Sequence, residues 1–355
     1  PDTEHSGTYL FDHYALGNNG VPSLYNPYFR ALREWITPTV ISSSGTFTFY
    51  DVDSTGLLYC YEAPNYPNAL SSQKFFFALY TKPENNYWQK NWPVPMVSRN
   101  PEKHAGMLIY HVDGNASIGA WYSFEWWDRR RLPVDIESAH GKWKWNEVIS
   151  DPYKRAINLG IQDPFYGFDS LEVRWSYRWI DSSGVEHGVY PDDRIGSESC
   201  FFAPSSGKTF AFWTNPNSNL IQNSAPFGRV VTSDLKMKNF RIENNQVKAD
   251  FEIGSSAYVV DENASIGPGT IYINKSIIIP PGISLTIRPN TTLYFESGTM
   301  IDVLGRLYAD GVTFTSLNSW NGIRLNGGSY ADIRNCTIEK SSIAGISILT
   351  TQSIV

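Results

Sequence analysis

Between Tyr272 and Ile348 the chain repeats one texture, and that texture restricts the fold more than any other feature. Short β-branched or aromatic runs follow one another: Tyr272-Ile273, Ile277-Ile278-Ile279, Leu285-Thr286-Ile287, Leu293-Tyr294-Phe295, Ile301-Asp302-Val303, Leu307-Tyr308-Ala309, Val312-Thr313-Phe314, Ile323-Arg324-Leu325, Ala331-Asp332-Ile333, Thr337-Ile338 and Ile346-Ser347-Ile348. Gly, Asn and Pro break them, and the pattern recurs at roughly 20 residues, the span of one coil of a solenoid. None is long enough for a helix. One coil of this size cannot bury its own inner face, so coils must stack and pair into parallel sheets. The expectation is a solenoid with three short strands per coil over residues 255–355, entered through Gly254-Ser255-Ser256.

Three stretches of this region resemble right-handed parallel β-helix proteins: Pro280-Pro281-Gly282-Ile283-Ser284-Leu285-Thr286-Ile287, Ser319-Trp320-Asn321-Gly322-Ile323-Arg324-Leu325, and Ile333-Arg334-Asn335-Cys336-Thr337-Ile338-Glu339. Asn335 adds an asparagine ladder if the coils repeat it. The last residues, Thr350-Thr351-Gln352-Ser353-Ile354-Val355, fall in mid-coil. A solenoid normally carries a cap, so the reading is an incomplete β-helix, continued by more coils or covered by another subunit.

Upstream, the pattern is strand-rich but irregular. Met107-Leu108-Ile109-Tyr110-His111-Val112 and Phe75-Phe76-Phe77-Ala78-Leu79-Tyr80 are too apolar for exposed strands and too short for buried helices. They are expected in the middle of one sheet. Thr46-Phe47-Thr48-Phe49-Tyr50 and Leu171-Glu172-Val173-Arg174-Trp175-Ser176-Tyr177-Arg178-Trp179 alternate as half-buried strands. Residues 236–242 and 246–253 form a hairpin around Glu243-Asn244-Asn245. The one helix expected covers 28–35, with Pro27 near its start and Pro38 beyond its end. Residues 1–26 and 83–104 read as loops; Trp121, Trp126, Trp127, Trp143 and Trp145 read as core or loop cover rather than a sugar platform.

Composition narrows the function classes. Aromatics make up 15% of the 355 residues and charged residues 18%, a balance suited to β-rich exported proteins. The net charge of −6, with Arg129-Arg130-Arg131 the only dense basic spot, excludes a nucleic-acid footprint. No run of 18 apolar residues is present to span a membrane as a helix. Cys60, Cys200 and Cys336 fit no zinc or redox spacing, and a Cys60–Cys200 bridge is open. Asn-x-Ser/Thr sequons stand at Asn115, Asn263, Asn274, Asn290 and Asn335.

Several motifs, in order, resemble the M6 peptidases, the immune-inhibitor-A-like secreted zinc endopeptidases. They are His13-Tyr14-Ala15-Leu16-Gly17-Asn18-Asn19-Gly20, Trp35-Ile36-Thr37-Pro38, Gly106-Met107-Leu108-Ile109-Tyr110-His111-Val112-Asp113, Val134-Asp135-Ile136-Glu137-Ser138-Ala139-His140-Gly141, Asp163-Pro164-Phe165-Tyr166-Gly167 and Asn215-Pro216-Asn217-Ser218. Leu16 stands where that family has Met. The resemblance implies the end of a catalytic domain at 1–37 and a β-rich, antiparallel sandwich-like module at 38–254, before the β-helix of 255–355. It also implies zinc held by His-Glu-x-x-His on a helix. The six histidines, His5, His13, His104, His111, His140 and His187, contain no such pair, so zinc is expected only if a catalytic half lies upstream.

No catalytic residue is therefore assigned. His111, inside an apolar strand, reads as a satisfied core histidine. Asp51, Asp53 and Asp163 are the calcium candidates, the first two in Asp51-Val52-Asp53-Ser54-Thr55-Gly56, which lacks a glutamate at the twelfth position. Asp302, Asp310, Asp332 and Glu339 are the carboxylates a polysaccharide-cleaving β-helix could use. The leading expectation is a non-catalytic structural or adhesive module of an exported M6-like protein, extracellular or on the cell surface. Its partners would be a protein or polysaccharide surface, or another subunit. The alternatives are the C-terminal part of an active zinc endopeptidase and a subunit of an extracellular assembly joined through the β-helix end.

Overall fold

A computed structural model describes residues 27–66, 69, 72–80, 106–112, 134–137, 139, 177–180, 186–189, 201–204, 207–221 and 229–349. The protein is mainly β. It divides into two compact units: residues 1–64, 71–209 and 237–251 form one, and 65–70, 210–236 and 252–355 the other. Residues 65–70 and 210–236 thus group with the solenoid of 252–355, where the sequence alone suggests a single boundary at 254/255.

In the first unit a five-stranded sheet runs in the order Thr39–Val40, Tyr59–Glu62, Lys74–Tyr80, Gly106–Val112, Val134–Ile136. The first pair is parallel and the rest antiparallel. All seven residues of Gly106–Val112 are buried, which is why that stretch carries no polar alternation. Both faces are covered. Phe75, Phe77, Tyr59 and Tyr61 share one face by register, where Phe251 packs edge-on to Phe77 at 4.9 Å and Phe49 edge-on to Tyr59 at 4.9 Å. Phe49 and Phe251 come from a second sheet, ordered Lys236–Glu243, Gln246–Glu252, Gly45–Phe49, so this unit is a sandwich of aromatic faces. On the opposite face Tyr28, from the helix Pro27–Leu32, meets Phe76 at 5.8 Å. That helix is shorter than the sequence suggests: Glu34 turns to a φ of 60° and stops it before Trp35.

Gly106 is required by close packing. Its φ is +153°, and a Cβ there would lie 2.7 Å from the Phe201 Cβ and 2.9 Å from the Phe202 carbonyl, whose strand bridges to Met107. The Gln246–Glu252 hairpin turns where expected, on Asn244 and Asn245 at φ 51° and 61°, the left-handed pair of a type I′ turn. Of the strand expected over 171–179, Tyr177–Ile180 is described, paired with Glu186–Val189; its remainder, and the loops and tryptophan cluster named above, lie outside the described residues.

The second unit is the parallel β-helix anticipated from the repeats. Three sheets run along it. Sheet I stacks Ala257–Val259, Ser276–Ile279, Ile301–Val303, Ile323–Leu325 and Ile346–Ile348. Sheet II stacks Ala264–Ile266, Ser284–Ile287, Arg306–Asp310 and Tyr330–Arg334. Sheet III stacks Arg229–Val231, Gly269–Ile273, Thr291–Phe295, Thr313–Ser316 and Thr337–Ile338. The described residues thus contain four complete coils and the opening strand of a fifth. Tyr258, Ile277, Ile301, Ile323 and Ile346 stand over one another, with steps of 19, 24, 22 and 23 residues. The irregular steps are absorbed at the corners, so the inward parity survives. Leu285-Leu307-Ala331 and Ile271-Leu293-Phe314 form further buried columns.

The corners are where backbone freedom matters. Gly322 has a φ of +82°, and a Cβ there would collide with the Ala344 carbonyl of the next coil. Asn290, Gly311 and Asn335 follow one another at a second corner with φ of 62°, 63° and 52°. Because the middle coil places Gly311 there, no continuous asparagine ladder forms; Asn335 Nδ2 donates instead to Asp310 Oδ1 at 2.8 Å.

The chain before the first coil closes the stack at that end. Phe212 packs on Tyr258 at 4.6 Å, and Trp213 lies edge-on to Phe212 at 5.0 Å. Both belong to the solenoid core. Sheet III is extended by Arg229–Val231 in parallel and then ended by Leu220–Ile221, which runs antiparallel to it.

Candidate functional site

Among the described residues of the first unit, His111 is a buried titratable side chain with a partner at each ring nitrogen. Strand pairing sets it opposite Phe75, and the two rings stack at 4.2 Å. The imidazole is 6% exposed. Gln73, just before strand Lys74–Tyr80, places Oε1 2.9 Å from His111 Nε2. Glu137, just after strand Val134–Ile136, places Oε1 3.3 Å from Nδ1. With Gln73 Oε1 accepting, Nε2 carries a proton and the tautomer is fixed. Burial pushes the Glu137 carboxyl up from its ordinary value to about 8. In that tautomer a protonated Glu137 is the partner that the bare Nδ1 accepts from. Both ring nitrogens are engaged, so His111 is a satisfied core histidine, as its strand position suggested. Each ring nitrogen already has a side-chain partner within hydrogen-bond distance.

The solenoid distributes its candidate acids rather than gathering them. Asp302 is on sheet I, Asp310 and Asp332 on sheet II, and Glu339 just beyond the last described strand of sheet III. Asp302 accepts from Arg324 at 2.9 and 2.5 Å and from Asn326 at 2.5 Å. The Arg324 hydrogen bonds hold its carboxyl below the usual carboxylate range. That is the wrong direction for a general acid, which needs a raised pKa. Asp332 is gripped by Arg334 at 2.7 and 2.9 Å. Asp310 accepts from Asn335 as above. Glu339 Oε2 accepts from Thr315 at 3.2 Å, and its carbonyl accepts from Trp320 Nε1 at 2.8 Å. Only Asp310 and Asp332 share a face.

Outward parity gives each sheet its own surface. Sheet III carries a threonine column, Thr270-Thr292-Thr313-Thr337, beside Tyr272 and Tyr294, whose rings stack at 5.0 Å. Sheet II carries Tyr308 and Tyr330, 5.8 Å apart, among Arg306, Asp310, Asp332 and Arg334.

Asp51 is a helix cap. Its Oδ1 accepts from Ser54 N at 2.8 Å and its carbonyl from Thr55 Oγ1 at 2.6 Å, at the head of helix Val52–Thr55. Asp53 lies in that helix, and Asp163 lies outside the described residues. Among the described residues no three His, Cys, Asp or Glu side chains are grouped to hold a metal ion. Cys60 is a free, buried thiol, and Cys200 lies outside the described residues. Burial first, then Glu62, push that thiol up to about 11, which keeps it unreactive. Cys336 is also free. No helix among the described residues is long and apolar enough to cross a membrane.

The sequence singles out His111 without pairing it to either partner: Gln73 precedes a strand, Glu137, quoted only within the Val134–Gly141 motif, follows one, and their approach depends on register. No protein-family model, no curated protein and no solved structure matches this chain.

Proposed function

We propose that this chain is a non-catalytic adhesive module of an exported protein, and that it binds polysaccharide on the outer face of sheet II. The observation that carries the reading is the grid on that face. Tyr308 and Tyr330 offer ring faces for sugar C–H groups, while Arg306, Asp310, Asp332 and Arg334 offer hydrogen-bond partners in the same plane. A rigid solenoid presents such rows at strand spacing, about 4.8 Å per coil, without ordering cost at binding. The non-catalytic part is supported by the engaged nitrogens of His111 and by carboxylates spread over three sheets. Export is supported by the aromatic-rich, weakly charged composition, and kinship to the M6 peptidases by the ordered motifs alone.

The test is binding of the intact chain to arrays of neutral and acidic polysaccharides, with turnover assays on the same polymers and on denatured protein. Tyr308→Ala and Tyr330→Ala are expected to weaken binding by about tenfold each or more, as loss of a stacked ring does. Retained binding in the double variant, or catalytic turnover by the chain, sinks the reading.

A further inference from the structure

Lys236 is the only lysine among the described residues with a buried side chain, 7% exposed. Its Nζ lies 2.9 Å from Asp261 Oδ2 and 2.5 Å from Glu252 Oε2. The amine also stands over the Trp213 indole, 5.4 Å from the ring centroid, and Trp213 is itself 4% exposed. A single cation needs one carboxylate for charge balance. Here a buried amine has two, and an aromatic wall closes its apolar side. Glu252 and Asp261 are about a third exposed, so the carboxyl side opens toward water while the amine does not.

We propose that Lys236 Nζ and Asp261 Cγ join in an amide bond, with Glu252 carrying the protons. The ammonium passes a proton to the Glu252 carboxylate, and the freed lone pair attacks Asp261 Cγ. The N–C bond forms and one Cγ–O bond breaks. Of the three ammonium protons one stays on the amide nitrogen; the other two, relayed through Glu252, leave with the departing oxygen as water. Glu252 ends as it began, charge is conserved, and no oxidant, reductant or cofactor enters. Amide formation in open water is unfavourable and slow. Holding amine and acid at hydrogen-bond distance raises their effective concentration by many orders of magnitude. The Trp213 wall keeps water from the nitrogen once the bond exists. Asp261 is the acyl partner because its short side chain is anchored directly after the first strand of sheet I, whereas Glu252 has the reach to move between the two groups. The bond would close a loop between positions 25 residues apart in sequence, tying the entry to the solenoid onto its first coil.

The inference does not depend on polysaccharide binding, and each can fail alone. The test is the intact mass of the full chain under denaturing conditions, then peptide mapping. The expected result is a mass lower by one water and a single branched peptide joining Lys236 to Asp261. Lys236→Arg, which keeps charge and hydrogen bonds, is expected to restore the full mass while unfolding cooperatively. Glu252→Gln is expected to leave the two side chains unlinked. Separate Lys236 and Asp261 peptides from cooperatively folded wild-type chain overturn the proposal; so does a branch through Glu252, or complete linkage in Glu252→Gln.

Discussion

The sheet around Gly106–Val112 and the stacked coils of the solenoid treat polar groups in opposite ways. The sheet around Gly106–Val112 accepts a histidine into its buried layer and supplies a full set of partners for it, Gln73 on one nitrogen and Glu137 on the other. The interior of the stacked coils is almost purely aliphatic and aromatic; Asp302 pairs with Arg324 and Asp332 with Arg334 on their outer faces, and the buried Lys236 belongs to the entry before the first coil. Antiparallel strands can approach a buried site from loops at both ends, so partners can converge there. Stacked coils bring like positions together, so an inward polar residue would meet only the apolar residues of its neighbours. A polar core therefore suits the first unit, and inside–outside alternation suits the second.

The sharpest way to break this contrast is to reverse the alternation. Leu307→Asp puts an unpaired charge among Leu285 and Ala331, and it is expected to cost more than about 4 kcal/mol and abolish cooperative folding. Tyr308→Asp, one residue along and outward, is expected to stay within about 1 kcal/mol in denaturant melts. Equal effects would refute the parity.

His111→Ala comes next. It removes the stack on Phe75 and strands Gln73 and Glu137, with an expected loss of about 2–4 kcal/mol by chemical denaturation. A loss below about 0.5 kcal/mol would show that the buried site contributes only space.

A pH series sharpens the same site. The Glu137 carboxyl is raised in the fold from 4.5 to about 8, so the folded state holds its proton more tightly than the unfolded chain. That stability is fully present below pH 4.5 and is lost as pH rises through about 8. Wild type should thus fall relative to Glu137→Gln across this interval; parallel curves would contradict the raised value.

The smallest effect belongs to the solenoid surface. Arg324→Ala breaks a half-exposed pair and is expected to cost about 1 kcal/mol or less, shrinking with added salt.

The solenoid was readable from sequence because its information is local. Each triplet such as Ile301-Asp302-Val303 states its own inward and outward residues, and neighbouring coils repeat the statement. What the triplets omit is which sheet each occupies, so the sequence offers Asp302, Asp310, Asp332 and Glu339 as candidates without showing which share a face; Asp302 and Asp310 stand on different ones. The asparagine ladder failed for a related reason: the corner selects for a left-handed backbone, which Gly311 provides as well as Asn290 or Asn335. In the first unit the central strands were legible as apolar runs. The contacts of Gln73 and Glu137 were not, since register and strand order carry them. The Asp51 segment illustrates a second ambiguity: a helix cap and an ion loop draw on the same residue types, and what the fold adds is the cap, with Ser54 N and Thr55 Oγ1 donating to Asp51.

Leu220–Ile221 has a consequence for growth. A parallel sheet is a template, and its last strand dictates the hydrogen-bond phase that the next must match. By laying a reversed strand on sheet III, the chain writes a stop into that template. A coil added in parallel register would meet a reversed strand there on sheet III, so this edge differs in hydrogen-bond pattern from the parallel edges between the coils.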